Sequence, residues 1–124
     1  MEQKFYTCED CGNIVLMIKD VGVPIMCCGQ KMQEIIPGTT DAAAEKHVPV
    51  YQVEGNQVTV SVGSVEHPME QKHHIGWVLL QTKQGSQYKP LDPDSKPEVC
   101  FALTDGDAVE SVYAYCNLHG LWKA

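Results

Sequence analysis

Hydrophobic and polar residues alternate along much of the chain after Val48. The clearest run is residues 57–62, in which three valines alternate with Thr59 and Ser61. A period of two predicts a strand with one buried face, and Gly55-Asn56 suits the hairpin turn before it. This run therefore predicts one β-hairpin.

Two longer stretches show similar features. Residues 74–88 predict a strand that turns near Gln84-Gly85, and residues 98–116 predict two more around Asp105-Gly106-Asp107. Residues 41–46, DAAAEK, can form one helical turn at most. Short strands with turn signals predict a mainly β chain, with a β-sandwich of roughly seven strands after residue 36.

The first 36 residues differ from the rest of the chain. They contain four of the six cysteines and none of the five histidines. Residues 35–41, IIPGTTD, contain a Pro-Gly pair typical of a junction. A length of 124 residues suits either one ordinary domain or a small domain joined to a medium one. The difference between the two parts favours the second arrangement, with domains at 1–36 and 37–124.

Charge narrows the classes of partner. The net charge of -7 argues against nucleic acid and anionic membranes as partners. The chain has no apolar run of about 18 residues and no apolar stretch near Met1 that would serve as a signal peptide. A cytoplasmic location is expected, where cysteines bind metals more often than they form disulfides.

Four cysteines form two tight pairs, Cys8 with Cys11 and Cys27 with Cys28. Four thiolates in a tetrahedron suit zinc or a single iron, and the spacing does not decide between them. The alternatives are disulfides or free buried thiols. A metal would also stabilise a segment this short.

The histidines and a fifth cysteine lie in loop-like places beside predicted strands. Each histidine alone is more often a surface residue, but their grouping near Cys116 favours a second metal site. Five converging ligands exceed the four that zinc usually takes. Four imidazoles in a plane with an axial thiolate would leave one octahedral position open, and iron is the natural metal for that arrangement.

Several motifs in combination resemble one family. They are CEDC, CC, EKHVP, HPMEQKH and CNLHG, and together they resemble desulfoferrodoxin, the two-iron form of superoxide reductase. The resemblance implies two iron ions per chain. One would lie in a desulforedoxin-like domain and the other in an immunoglobulin-like sandwich. The implied ligands of the first iron are Cys8, Cys11, Cys27 and Cys28. Those of the second are His47, His67, His73 and His119, with Cys116 axial and His119 binding through its other ring nitrogen.

The same resemblance implies an activity and partners. Superoxide would be reduced to hydrogen peroxide, with electrons from a rubredoxin-like donor, in a homodimer. Lys46 would attract the anion and Glu45 would occupy the sixth position of the oxidised iron; each is otherwise an ordinary surface residue. His74 stands where the family usually has an aromatic residue. Cys100 matches no motif and is predicted to be a small buried side chain.

Three other functions remain compatible with the residues. The same iron site could dismutate superoxide. The four-cysteine centre could act alone as an electron carrier. That carrier would need neither five histidines nor a vacant site. The third function is a zinc-stabilised binding module, which a colourless protein without iron would favour.

Overall fold

The structure is a computed structural model that describes residues 2–124. The chain divides into two compact units, with the boundary between Ile36 and Pro37. Each unit is built almost entirely from antiparallel strands.

The smaller unit contains five short strands. Three of them form a sheet in the order β2-β1-β5, and β3 and β4 form a separate hairpin. Their bounds are β1 Lys4–Thr7, β2 Ile14–Met17, β3 Met26–Cys27, β4 Gln30–Lys31 and β5 Gln33–Ile35. Among residues 2–36, the buried apolar residues are Phe5, Cys8 and Met32. So few buried side chains make a metal useful for holding the unit together.

The larger unit begins with a short helix and continues as two facing sheets. One sheet has the order β10-β7-β6 and the other β12-β11-β8-β9. The elements are α1 Ala44–His47, β6 Pro49–Glu54, β7 Gln57–Val62, β8 Ile75–Thr82, β9 Gly85–Pro90, β10 Glu98–Ala102, β11 Val109–Cys116 and β12 Gly120–Lys123. Their number agrees with the prediction of roughly seven strands, and the mainly β fold class is confirmed.

The helix α1 is a single turn that overlaps the predicted one. It begins at Ala44, later than the residues 41–46 of the prediction, and ends at His47. Across residues 2–124, no helix has the length and apolar character needed to span a bilayer.

The core of the sandwich follows the alternation. The three valines of β7 are at most 1% exposed and pack with Val78 and Leu80 of β8 and Val112 of β11. The prediction that Cys100 is buried is wrong. Cys100 is exposed because β10 turns Phe101 into the core, which leaves Cys100 on the outer face beside Thr59.

Strand register brings several loops to one end of the sandwich. Cys116, the last residue of β11, pairs with Ile75, the first residue of β8. The turn after β11 therefore lies beside the loop before β8. Pro49, the first residue of β6, pairs with Val62, the last residue of β7, so α1 and the loop after β7 are also neighbours.

Candidate metal centres

Four cysteines of the smaller unit converge. The sulfur atoms of Cys8, Cys11, Cys27 and Cys28 all lie within 4.8 Å of one another. Cys11 Sγ and Cys27 Sγ are 3.7 Å apart, and the Cys11 amide donates to Cys8 Sγ at 3.5 Å. None of the six cysteines in residues 2–124 forms a disulfide.

Two turns bring these cysteines together. Gly12 and Gly29 each follow the second cysteine of a pair, and both have positive φ, 82° and 71°. In the first turn the Gly12 amide donates to the Cys8 carbonyl at 2.8 Å. Such left-handed positions favour glycine, which explains why each pair ends in one.

The neighbouring thiols of this cluster differ widely in pKa. The Cys11 backbone N–H lowers the pKa of Cys8 to about 7, whereas the neighbouring thiols of Cys11 and Cys8 raise the pKa of Cys28 to about 12. Four sulfurs this close cannot all be anionic without a cation between them. A tetrahedral metal ion fits this donor set.

Four imidazole rings form a closed ring at one end of the sandwich. Neighbouring rings have centroids 4.6–5.0 Å apart and interplanar angles of 78–86°. His47 and His73 lie across the ring from each other, at 6.4 Å and 31°. The order is His47, His67, His73, His119. This arrangement suits four ligands of one metal ion.

The tautomers of two of these histidines are set by the backbone. His47 Nδ1 donates to the Ala43 carbonyl and His67 Nδ1 donates to the Pro68 carbonyl, both at 2.7 Å. In the neutral rings, Nε2 then carries a lone pair. The two Nε2 atoms face each other at 3.2 Å, so a cation between them would remove the repulsion.

The other two histidines complete the set of donors. His73 Nε2 is buried and has no hydrogen-bond partner. His119 presents the other ring nitrogen, since its Nδ1 lies 3.1 Å from His47 Nε2. An orphaned buried nitrogen is costly unless it binds something, and a metal in the ring supplies that partner.

Cys116 supplies the sulfur of this cluster. Its side chain is fully buried, and Cys116 Sγ lies within 4.8 Å of the ligand nitrogens of His47, His67 and His73. Cys116 Sγ is 3.8 Å from His119 Nδ1. Burial raises the pKa of the thiol, while the backbone N–H groups of Leu118 and His119 oppose that rise.

The pKa values of two ring histidines, His67 and His73, suit metal binding. Burial lowers the pKa of His67 to about 4 and also lowers that of His73. These rings are therefore neutral near pH 7, which is the form that binds a metal.

Three residues that the sequence placed near the second metal site lie outside the imidazole ring: Glu45, Lys46 and His74. Glu45 and Lys46 are exposed on α1. Lys46 lines an open cleft of about 460 Å³ that also includes His67. His74 is not a member of the ring, and its Nδ1 donates to the Glu70 carbonyl at 3.0 Å.

Sequence reasoning missed two neighbours of the ring. Trp122 packs on His47 with centroids 5.0 Å apart and donates from Nε1 to the His119 carbonyl at 3.0 Å. Asn117 hydrogen-bonds the backbone on both sides of His73. The position of Asn117 within the CNLHG motif could have identified it as a neighbour of the ring. No sequence pattern pointed to Trp122.

Comparisons with known proteins agree with this geometry. The family model described as Desulfoferrodoxin matches residues 39–124. A desulfoferrodoxin of Syntrophotalea carbinolica is 45% identical over 119 residues, covering 96% of this chain and 93% of the relative. A superoxide reductase of Pyrococcus horikoshii is 38% identical over 100 residues, covering 67% of this chain and 87% of its own.

A solved structure extends the similarity to the fold. The superoxide reductase from Treponema pallidum has a TM-score of 0.85 and 43% identity, covering 100% of this chain and 99% of that one.

Proposed function

The chain belongs to the desulfoferrodoxin family, and from that premise we propose that it is a superoxide reductase that converts superoxide to hydrogen peroxide. The ring of four imidazoles beside a buried Cys116 carries this proposal. We propose that one iron would be held by four histidines and a cysteine, namely His47, His67, His73, His119 and Cys116.

An iron ion held by these residues would supply one-electron reducing chemistry towards superoxide, with an external donor as the source of electrons. The neutral rings of His67 and His73 leave their lone pairs available to the metal. The amides directed at Cys116 stabilise its thiolate form.

We propose that Lys46 attracts the anionic substrate. Its side chain is exposed and borders the cleft beside His67. A local positive charge raises the encounter rate of an anion even in a protein of net charge -7. The matching test is Lys46→Ala, which should slow the second-order reaction and reduce its dependence on ionic strength. Lys83→Ala, an exposed lysine at the β8–β9 turn, is the control.

We assign to Glu45 the role of a ligand to the oxidised iron. Glu45 lies two residues before His47 in the same helical turn, and its side chain is exposed. Glu45→Ala should change the ferric absorption spectrum while leaving the ferrous reaction with superoxide intact. Identical ferric spectra would remove this role.

We further propose that residues 1–36 form a desulforedoxin-like domain whose four cysteines bind a second iron, and that residues 37–124 form the superoxide-reducing domain. We also propose that a rubredoxin-like protein donates the electrons, that the protein is a homodimer and that it is cytoplasmic. Free cysteines suit a reducing compartment. Exposed apolar side chains of the smaller unit suit a contact with another protein, among them Ile18 at 94% and Val21 at 71% exposure.

The test is to count products. Anaerobically reduced protein is mixed with a known amount of superoxide, and peroxide and dioxygen are measured. One peroxide per superoxide without dioxygen establishes a reductase, because each superoxide takes one electron and two protons. Half that yield with dioxygen identifies a dismutase, and no reaction leaves the electron carrier.

Two cysteine variants make the test specific to the proposed centre. Cys116→Ser should remove the sulfur-to-iron absorption and most of the reactivity at this centre. Cys100→Ser changes an exposed cysteine that belongs to neither cluster, so it should change neither. Full reactivity of an iron-loaded Cys116→Ser protein would contradict the assignment of Cys116 as an iron ligand.

A further inference from the structure

Asn117 links two of the loops that carry proposed iron ligands. It lies in the turn between β11 and β12, and Cys116 and His119 lie on either side of it. Its side chain reaches the loop before β8. There Asn117 Oδ1 accepts the His74 backbone N–H, and Asn117 Nδ2 donates to the Lys72 carbonyl, both at 2.9 Å.

These two hydrogen bonds bracket His73. Lys72 and His74 are its chain neighbours, so one side-chain amide fixes the backbone immediately before and after this histidine. A third bond joins the same segments, since the Asn117 backbone N–H donates to the His74 carbonyl at 3.2 Å. These hydrogen bonds therefore attach the loop before β8 to the β11–β12 turn at His73. The backbone position there determines where the His73 imidazole lies in the ring.

The chemistry of the amide explains why an asparagine suits this place. Its oxygen accepts and its nitrogen donates, so it can bind an N–H and a carbonyl at once. A carboxylate keeps the acceptor but offers no donor to the Lys72 carbonyl. The remaining bonds on the His73 backbone come from Glu70 in the same loop, at 2.9 and 3.2 Å. They shape the loop without attaching it to the turn.

We propose that Asn117 is a positioning residue that holds His73 in the imidazole ring by fixing its backbone to the turn that carries Cys116 and His119. The neighbouring His74 makes this attachment important, because a slip of one residue would offer the wrong imidazole to the ring. The proposal rests on the iron centre of the proposed function. Ligand positions must hold within about half an ångström, and loss of a residue that orients a ligand typically lowers metal affinity 10- to 100-fold.

The test compares the two metal centres within one molecule. Full-length Asn117→Ala, Asn117→Asp and wild-type proteins are loaded with ferrous iron under anaerobic conditions, and each centre is titrated with a competing chelator. Asn117→Ala should lower iron affinity at the histidine–cysteine centre about 10-fold or more and leave the four-cysteine centre unchanged. Asn117→Asp should fall between Asn117→Ala and wild type. In both variants, the iron that remains should keep the Cys116-to-iron absorption band on oxidation.

Asn56→Ala is the matched control. Asn56 also uses its side-chain amide, donating from Nδ2 to Asp105 Oδ1 at 2.7 Å, but it lies at the β6–β7 turn. It should leave iron affinity at both centres unchanged.

Three results would overturn the proposal. They are wild-type affinity in Asn117→Ala, an equal loss from both centres, and loss of the sulfur band in the iron that Asn117→Asp retains. The last would mean that Asn117 acts on Cys116 and not on His73. Because no superoxide is used, a protein that passes this test but fails to reduce superoxide refutes the proposed function alone.

Discussion

Gly63 shows how a single residue without a side chain can fix the position of others. A Cβ atom at Gly63 would lie 2.7 Å from the Glu45 carbonyl oxygen and 2.8 Å from that of Val48. Both are backbone atoms, which cannot rotate away as a side chain would. The turn that carries Glu45, Lys46 and His47 can therefore lie against the loop after β7 only because residue 63 is glycine.

We expect Gly63→Ala to destabilise the larger unit by about 1–3 kcal/mol, the usual range for forcing an extra methyl into a packed site. Displacement of α1 should also weaken iron binding at the histidine–cysteine centre. Urea denaturation of the metal-loaded protein measures the first effect and chelator competition the second.

Gly76→Ala is the control for that substitution. A Cβ atom at Gly76 would meet the Tyr115 carbonyl oxygen at 3.9 Å, an ordinary contact. Stability equal to that of Gly76→Ala would show that the contact of Gly63 with α1 is unimportant.

The sequence grouped the side chains that converge in the two clusters better than it predicted their surroundings. Cysteine pairs in tight turns are local features, so Cys8, Cys11, Cys27 and Cys28 could be grouped from spacing alone. The role of Trp122 was not predictable, because its contact with His47 depends on how β12 lies beside distant α1. Asn117 lies within a recognised motif, but the motif could not show its hydrogen-bond partners, Lys72 and His74, because they lie in another loop.

At the level of strands, alternation predicted most of the fold because buried valines are spaced by two wherever one face of a sheet is covered. It failed at Cys100, since the small side chain gave no sign of which face β10 turns inward. The order of histidines in the ring also lay beyond sequence reasoning. It depends on the register of β11 on β8, which shifts between Tyr115 and Cys116.

Asp107 ties the turn between β8 and β9 to the loop before β11. Its carboxylate accepts Thr82 Oγ1–H at 2.7 Å and the backbone N–H groups of Gln84 and Ala108 at 3.1 and 2.8 Å. Burial acts to raise the pKa of Asp107, but these hydrogen bonds outweigh it and hold the pKa below its usual range. The ionised carboxylate is therefore favoured by the folded state.

We expect Asp107→Ala to lower the Tm of the larger unit by several degrees, because three donors lose their acceptor. Metal content should not change, since these elements lie at the end of β8 away from the imidazole ring. Asp105→Ala, which removes one side-chain hydrogen bond with Asn56, should have a smaller effect. A larger loss of Tm in Asp105→Ala would contradict this ranking.

At the scale of the molecule, the two candidate centres belong to different compact units and share no ligand. We therefore expect Cys28→Ser to remove the four-cysteine iron while leaving iron at the histidine–cysteine centre. Chemically reduced Cys28→Ser protein should react with superoxide at nearly the wild-type rate. Iron analysis with stopped-flow kinetics measures both, and loss of both irons would show that the larger unit depends on the smaller one.

The acid stability of the metal-free protein follows from its buried histidines. Burial lowers the pKa of folded His67 to about 4 from an ordinary value of 6.5, and the pKa of His73 moves in the same direction. Between these values the unfolded chain binds the proton and the folded chain does not. Stability is thus fully present above pH 6.5 and is lost as the pH falls towards 4.

Each such proton changes the free energy of unfolding by at most about 1.4 kcal/mol per pH unit. Urea titrations of metal-free protein from pH 4.5 to 7 should therefore show stability rising with pH, and His67→Asn should reduce that slope. Both tryptophans, Trp77 and Trp122, lie in the larger unit, so their fluorescence reports its unfolding. His74→Asn removes a histidine outside the ring and should change the slope less than His67→Asn does. If His74→Asn and His67→Asn flatten the slope equally, the ring histidines do not set the acid stability of the metal-free protein.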